Sequence, residues 1–374
     1  MNFDLVFPRK ILFGTGTFSR LSEVCRGNGR RALLVTGRTA LRRSGKLAQA
    51  EEMLAAAGIA VRLFEGVEND PSLATCDRAI AVARDAGCDM VVSIGGGSAL
   101  DVGKIVAAML PQPFTIRDFF RGQRNLEKPS LFFVAAPTTA GTGSECTRVS
   151  VLTDEETHVK KGIRHEFMVP QAALVDPELT LGLPPEVTAQ SGMDALTQAI
   201  ECCVGRNANP ASDALALQAI ELLARHLPAA VDDGSKIENR EPVALGSLLT
   251  GLAFTNTALG AVHGLAHPVG ALFHVPHGLA CALLLPHVCE FNLSAQPEKF
   301  DRIAARIGCK SGREVPAALS ALNRRVGITG RLGEFGVEES AFPRIVADSR
   351  SGSTANNPRL ASDADLAEIL RKTI

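Results

Sequence analysis

Through its first half the chain alternates short apolar runs with longer stretches of helical period. Residues 31–36 (RALLVT), 60–64 (AVRLF), 89–94 (DMVVSI) and 131–136 (LFFVAA) have strand length. The uninterrupted apolar character of 89–94 is what a strand covered on both faces requires. Residues 11–18 (ILFGTGTF) predict one more strand, leading into a turn. Between the strands, 39–58 carries Leu41, Leu47, Ala50, Met53 and Leu54 on one stripe, and 71–87 and 99–110 have the same period. Strands alternating with helices predict a parallel, wound α/β sheet with crossover connections, whose ligands bind beyond the carboxyl ends of the strands. Past Leu179 the strand pattern stops. Pro184-Pro185 marks a break, and apolar-periodic segments follow at 186–204, 210–227, 242–259 and 278–292, which predict an all-helical part. The expected division is therefore an α/β domain over 1–183 and a helical domain over 184–374.

Composition narrows the class. Of 374 residues, 46% are hydrophobic and 21% charged, with a net charge of −1, so no basic field invites nucleic acid or an anionic membrane. Trp and Tyr are absent, which removes the usual base-stacking and membrane-belt residues. No apolar stretch is expected to span a membrane, and the start of the chain does not read as a signal peptide. The nine cysteines are scattered without a CxxC, so reduced thiols and a cytoplasmic setting are expected.

Candidate chemistry gathers at the predicted strand ends. After DMVVSI come Gly95, Gly96, Gly97 and Ser98, then a helix. Amides freed of side chains at a helix N-terminus suit a phosphate. After LFFVAA come Thr138, Thr139, Thr142 and their glycines, which suit the phosphates and ribose of a dinucleotide. This is neither GxGxxG nor a P-loop. After the first strand, Gly37 is followed by Arg38, Arg42 and Arg43. These could receive an additional phosphate or form an exposed basic turn.

The helical half carries four of the eight histidines within residues 262–278: His263, His267, His274 and His277. His263 and His267 share a helix face, and a helix holding both must kink, or stop and restart, beside Pro268. Pro276-His277-Gly278 reads as a turn presenting an imidazole. Asp194 and Gln198 are likewise four apart. A carboxylate facing imidazoles is a plausible cage for a divalent metal.

The strings GGGSALDVGK, PTTAGTGSECT, LVDPELTLGLPP, GMDALTQAIE and VHGLAHPVGALFHVPHG, in this order, resemble the iron-dependent (group III) alcohol dehydrogenases. The resemblance runs from FPRKILFG to ASDADLAEIL, almost the whole chain. It implies an N-terminal dinucleotide-binding domain and a C-terminal helical domain with dehydroquinate-synthase-like architecture, assembled as a homodimer or larger. It implies metal ligands at Asp194, Gln198, His263 and His277, with His267 as the additional active-site histidine. Gly95, Gly96, Gly97 and Ser98 match the pyrophosphate loop, with Asp101 counted in the same string. Thr138, Thr139 and Thr142 match the second cofactor loop, and Lys160 matches a lysine near the cofactor ribose. His274 matches no ligand position.

Two departures matter. Gln198 stands where the family has a histidine ligand, and an amide oxygen is a weak donor beside imidazole. The metal, Fe²⁺ or Zn²⁺, then binds through three strong ligands, binds weakly, or is dispensed with. Gly37 stands where many NAD-using relatives have an acid. Room and positive charge there favour NADP(H) over NAD(H). The expected activity is reversible hydride transfer between a small primary alcohol or aldehyde and nicotinamide, with the oxygen polarised by the metal and His267 relaying the proton. The alternatives are a metal-free, maleylacetate-reductase-like oxo-acid reductase with Arg148 as an anion partner, a lyase of the dehydroquinate-synthase type, and a non-redox nucleotide-binding relative.

Overall fold

A computed structural model describes residues 2–157 and 159–374. The chain divides into two compact units. The first comprises residues Val6–Thr139 and Ser144–Gly182. Its strands are β1 (Lys10–Phe13), β2 (Arg31–Gly37), β3 (Ala60–Val67), β4 (Met90–Gly95), β5 (Phe132–Pro137), β6 (Val149–Asp154), β7 (Val159–Arg164) and β8 (Ala172–Val175). Its helices are α1 (Leu21–Cys25), α2 (Ala40–Arg43), α3 (Lys46–Ala56), α4 (Leu73–Asp85), α5 (Gly97–Met109) and α6 (Ile116–Phe120).

Six strands form one sheet in the order β1-β8-β5-β4-β2-β3, every pair parallel. Side chains alternate between its faces with period two. Leu33, Val35, Val91, Phe133 and Ala135 pack with Ala79, Ile80, Ala83 and Leu100 from α4 and α5. Ala32, Leu34, Met90, Val92, Val134 and Leu174 pack with Leu21, Leu47, Ala50 and Leu54 from α1 and α3. Each face buries its own core, so the sheet is wound on both sides, as the strand runs predict.

Three features depart from expectation. The helix expected over 39–58 is two helices, because Gly45 turns left-handed (φ 72°) between α2 and α3. The antiparallel hairpin β6–β7 was not expected, since Lys160, Lys161 and Arg164 dilute its apolar alternation. The last parallel strand, β8, is only four residues long, too short to stand out as a run.

The second unit comprises Met1–Leu5, Ala140–Gly143 and Leu183–Ile374. Its helices are α7 (Pro185–Val204), α8 (Pro210–Asp232), α9 (Ile237–Phe254), α10 (Ala261–Phe273), α11 (His277–Asn292), α12 (Pro297–Ile307), α13 (Val315–Arg325), α14 (Phe342–Asp348), α15 (Gly352–Asn356) and α16 (Asp363–Arg371). The helix expected over 242–259 instead starts five residues earlier. Buried Arg240 pins its first turn, donating to the carbonyls of Gly234 (2.8 Å) and Leu183 (3.0 Å) and to Thr188 Oγ1 (2.7 Å).

Against expectation, α8 is long and apolar enough to cross a membrane by length and composition. Its placement explains the composition. Ala216, Ala219, Ile220, Leu223 and Leu227 are buried, while Asp213 pairs with Lys299 and Arg302, and Glu221 with Arg306. The apolar side chains are core, buried Asp213 is paired within the helical unit, and Glu221 is paired at the surface.

Candidate active site

Helix α7 begins after Pro184 with Pro185 at its first position, where a missing N–H costs nothing. Its apolar period then carries Asp194, Gln198 and Glu201 at spacings of four and three, on one face. All three are buried, at 3%, 4% and 3% exposure. Buried polar groups at that depth need partners, and α10 and α11 supply them.

His263 on α10 is 1% exposed. Its Nδ1 lies 2.6 Å from Glu201 Oε2 and its Nε2 lies 3.2 Å from Asp194 Oδ1. Glu201 also accepts from the Val262 amide at 2.7 Å. A carboxylate holding Nδ1–H leaves Nε2 to face a ligand, which is how metal-binding histidines are commonly oriented. His277 opens α11, with its Nε2 3.8 Å from the same Asp194 Oδ1. Gln198 Nε2 donates to the other oxygen, Asp194 Oδ2, at 3.1 Å. Gln198 Oε1 is buried and accepts from no group. Such an atom is costly to leave unmade, and a bound cation or its water would satisfy it.

Charge reinforces the arrangement. Burial alone would raise the Asp194 pKa, but hydrogen bonding from His263 and the fields of His277 and His263 hold it below the usual carboxylate range. Burial works against a charged His263, yet Cys281, Glu201 and Asp194 outweigh it and hold its pKa well above the ordinary value. The pocket is therefore built for positive charge.

His267 lies one turn beyond His263 and is partly exposed. Its ring stacks on His277 at 5.4 Å between centroids, with planes 22° apart. The helix carrying it runs unbroken through Pro268. His277 is the first residue of a helix, not a turn residue. His274 is exposed and ends α10 in a left-handed conformation (φ 56°), its amide donating to Gly270 O. It serves as a helix stop.

Cys281 and Glu201 were not singled out from the sequence. Cys281 sits four after His277 and Glu201 three after Gln198, so the spacing that flagged the other residues also reaches these. Cys281 Sγ lies 3.8 Å from His263 Nε2 and 3.7 Å from His277 Nε2. Burial pushes its thiol pKa up to about 11. The donor atoms of Asp194, His263, His277 and Cys281 all lie within 4.8 Å of one another.

In the wound-sheet unit, the strand ends gather the glycine loops. Thr36 in β2 pairs with Ile94 in β4, and Gly95 pairs with Pro137 in β5. The Thr138 amide donates to Gly95 O at 2.9 Å. Gly95 has no room for a side chain: a Cβ would sit 2.7 Å from Ala99 Cβ. Gly96 caps α5 in extended conformation, 3.5 Å (for an added Cβ) from Thr139 Cγ2, and Gly97 and Ser98 begin the helix. A Cβ at Gly37 would meet nothing within 4 Å.

Beside Gly37, Arg38 and Arg43 are exposed and, among the described residues, have no ion-pair partner. Arg42 instead makes a bidentate pair with Glu65 at 3.0 and 2.9 Å. Thr142 falls in the short segment that belongs with the helical unit. Two expected cofactor residues have their charges engaged elsewhere. Lys160 Nζ donates to Asp70 Oδ1 at 2.7 Å. Asp101 accepts from Ser144 Oγ at 2.6 Å and the Val151 amide at 2.8 Å, with Lys104 Nζ 3.7 Å away.

A wound-sheet unit with a glycine loop and a helical unit with a carboxylate–histidine cluster that could hold a metal are the parts of a nicotinamide-using oxidoreductase. The chain belongs to the iron-containing alcohol dehydrogenases: that family's profile matches residues 8–177 and its C-terminal profile residues 188–374. It is 40% identical over 382 residues to the 1,3-propanediol dehydrogenase of Klebsiella pneumoniae, covering 99% of this chain and 98% of that one. It is 34% identical over 380 residues to the NAD-dependent methanol dehydrogenase of Bacillus methanolicus, covering 99% and 100%. The crystal structure of a 1,3-propanediol oxidoreductase superposes with a TM-score of 0.95 at 39% identity, covering 100% of both chains. The protein is an alcohol dehydrogenase that uses a nicotinamide cofactor.

Proposed function

We propose that this enzyme interconverts a small primary alcohol and its aldehyde with NADP(H) in preference to NAD(H), using a divalent metal held by Asp194, His263 and His277. The observation that carries the reading is the convergence of Asp194 Oδ1 with both imidazole Nε2 atoms at 3.2 and 3.8 Å, beside the unmatched Gln198 Oε1. The metal, when bound, supplies a Lewis acid that lowers the alcohol's pKa and polarises the aldehyde. Glu201 keeps His263 in the tautomer that offers Nε2. Gln198 turns Asp194 so that Oδ1 faces the imidazoles. His267, stacked on His277 and partly exposed, carries the proton between the substrate oxygen and solvent.

The wound-sheet domain, 1–183, would take the dinucleotide, and the helical domain, 184–374, the metal and substrate. The Gly95, Gly96, Gly97 and Ser98 loop would take the pyrophosphate at the α5 N-terminus. Thr138, Thr139 and Thr142 would line the second loop, with Asp101 bracing it, and Lys160 would stand by the ribose. Open space at Gly37 and the unpaired guanidinium of Arg38 support a 2′-phosphate. Relatives named for propanediol and methanol support the small-alcohol substrate.

The test is aldehyde reduction by protein purified without chelators, assayed with NADPH and NADH before and after stripping and reloading metal. Activity should follow the metal, and kcat/KM should favour NADPH. Gly37→Asp, which has room, should shift preference toward NADH, and His267→Ala should lower kcat with cofactor binding retained. A preference of at least about tenfold for NADH in the wild type would overturn the cofactor reading. Full activity in metal-free protein would overturn the metal reading and favour a metal-free reductase.

A further inference from the structure

We infer that Cys281 is the fourth metal ligand, replacing the donor lost at Gln198 and making the site one of sulfur, two imidazoles and a carboxylate. The inference rests on the metal reading just given and names a ligand that reading does not need.

Geometry carries it. Ligand bonds of about 2.0–2.3 Å at tetrahedral angles place neighbouring donor atoms about 3.3–3.6 Å apart. Here Asp194 Oδ1 lies 3.2 Å from His263 Nε2 and 3.8 Å from His277 Nε2. Cys281 Sγ lies 3.8 and 3.7 Å from the same two nitrogens. Sulfur and the carboxylate oxygen thus each stand within 3.8 Å of both imidazole nitrogens. Four of the six donor separations are thus already near those of a tetrahedral zinc shell, and the whole set falls within 4.8 Å.

Local sequence explains how the cysteine arrives there. His277 is the first residue of α11 and Cys281 is one turn on, so both side chains share the face that meets α7 and α10. Gln198, by contrast, gives its amide nitrogen to Asp194 Oδ2. It acts as the positioning residue for that carboxylate, with Oε1 left to accept from whatever the metal brings.

On binding, the Cys281 S–H bond breaks heterolytically. The proton leaves to solvent, a sulfur–metal bond forms, and no electron is transferred. Thiolate is a soft donor, so this site should prefer Zn²⁺ over Fe²⁺ more strongly than an all-nitrogen-and-oxygen site.

The experiment uses the full-length protein, stripped and reloaded with Co²⁺, as wild type, Cys281→Ala, Cys281→Ser and the double variant Cys281→Ala/Gln198→His. Circular dichroism and thermal unfolding check each fold, and Cys281→Ser stands in if the alanine variant does not fold. The wild-type Co²⁺ protein should show a near-ultraviolet sulfur-to-cobalt charge-transfer band. The single variants should lose the band and bind Co²⁺ more weakly by at least ~100-fold, beyond what losing an outer-shell partner costs. The double variant should regain binding without the band, and its Zn²⁺-over-Fe²⁺ preference should be smaller. Wild-type binding with no band and unchanged affinity in Cys281→Ala would overturn the assignment of Cys281 while leaving the three-ligand site intact. Binding by the double variant but not by the wild type would also overturn it. No Co²⁺ binding by any of the proteins would overturn the metal reading itself.

Discussion

Two buried polar clusters, one in each unit, show how a structural site differs from a chemical one. In the wound-sheet unit, Lys104 is 1% exposed and donates to Ser144 Oγ (2.9 Å), Thr147 Oγ1 (3.1 Å) and the Val149 carbonyl, while Asp101 accepts from Ser144 and Val151. Every donor there meets an acceptor, and the network ties α5 to the start of the hairpin. In the helical unit, Asp194, His263 and Glu201 are buried as deeply. There the hydrogen bonds serve to aim atoms. Glu201 and Asp194 hold the two nitrogens of His263, the Gln198 amide holds Asp194, and Gln198 Oε1 is left unmatched. The first cluster is closed on itself and the second is open toward a ligand. Burial does not separate them, but satisfaction does.

Breaking the closed cluster should cost the most stability. Lys104→Met leaves Asp101 buried without its counter-charge and should lower unfolding free energy by about 3–5 kcal/mol. Urea unfolding reads this directly, while metal bound per folded chain should stay at the wild-type value. A loss under ~1 kcal/mol would mean that the network is not holding the unit together.

A slightly smaller effect should follow pH. Burial pushes the carboxyl of Glu145, next to Ser144, up to about 7 from 4.5. Below 4.5 folded and unfolded chains both hold this proton. As pH rises toward 7 the unfolded chain releases it first, so stability should fall across that window by roughly 3 kcal/mol. Glu145→Gln should flatten the fall. Equal slopes in wild type and variant, from unfolding at several pH values between 4.5 and 8, would remove Glu145 as the source.

The smallest change expected is in the open cluster. Glu201→Gln weakens the hold on His263 Nδ1 and should lower metal affinity by roughly 10–100-fold, measured by competition with a chelator. An unchanged affinity would show that His263 is aimed by packing alone.

The sheet was legible because β2, β4 and β5 are buried on both faces and announce it as continuous apolar runs. The hairpin β6–β7 and the short β8 were hidden because two short strands with lysines, and one of four residues, carry too little periodicity. At the proposed metal site, Asp194, His263 and His277 stood out by residue type and spacing, and the structure brings their donor atoms together. Cys281 and Glu201 did not, since a lone cysteine among nine and a glutamate in a helix have no distinguishing chemistry until a fold places them. Pro268 was read as forcing a kink or a stop and restart; the helix does not stop there but continues from Ala261 to Phe273.

The short segment Ala140–Gly143 groups with the helices although it is flanked on both sides by the sheet unit. Gly143 (φ 61°) presses so close that a Cβ there would stand 2.5 Å from Gly251 Cα, and Gly251 is 108 residues further along the chain (251 − 143). At ribosomal speeds of about 5–20 residues per second, that partner emerges roughly 5–20 s later. During that interval the nascent sheet unit holds a piece of chain that has nowhere to dock. The helical unit therefore draws on a piece of chain made long before its own helices, and a cut at residue 183 would strip the helical fragment of Ala140–Gly143.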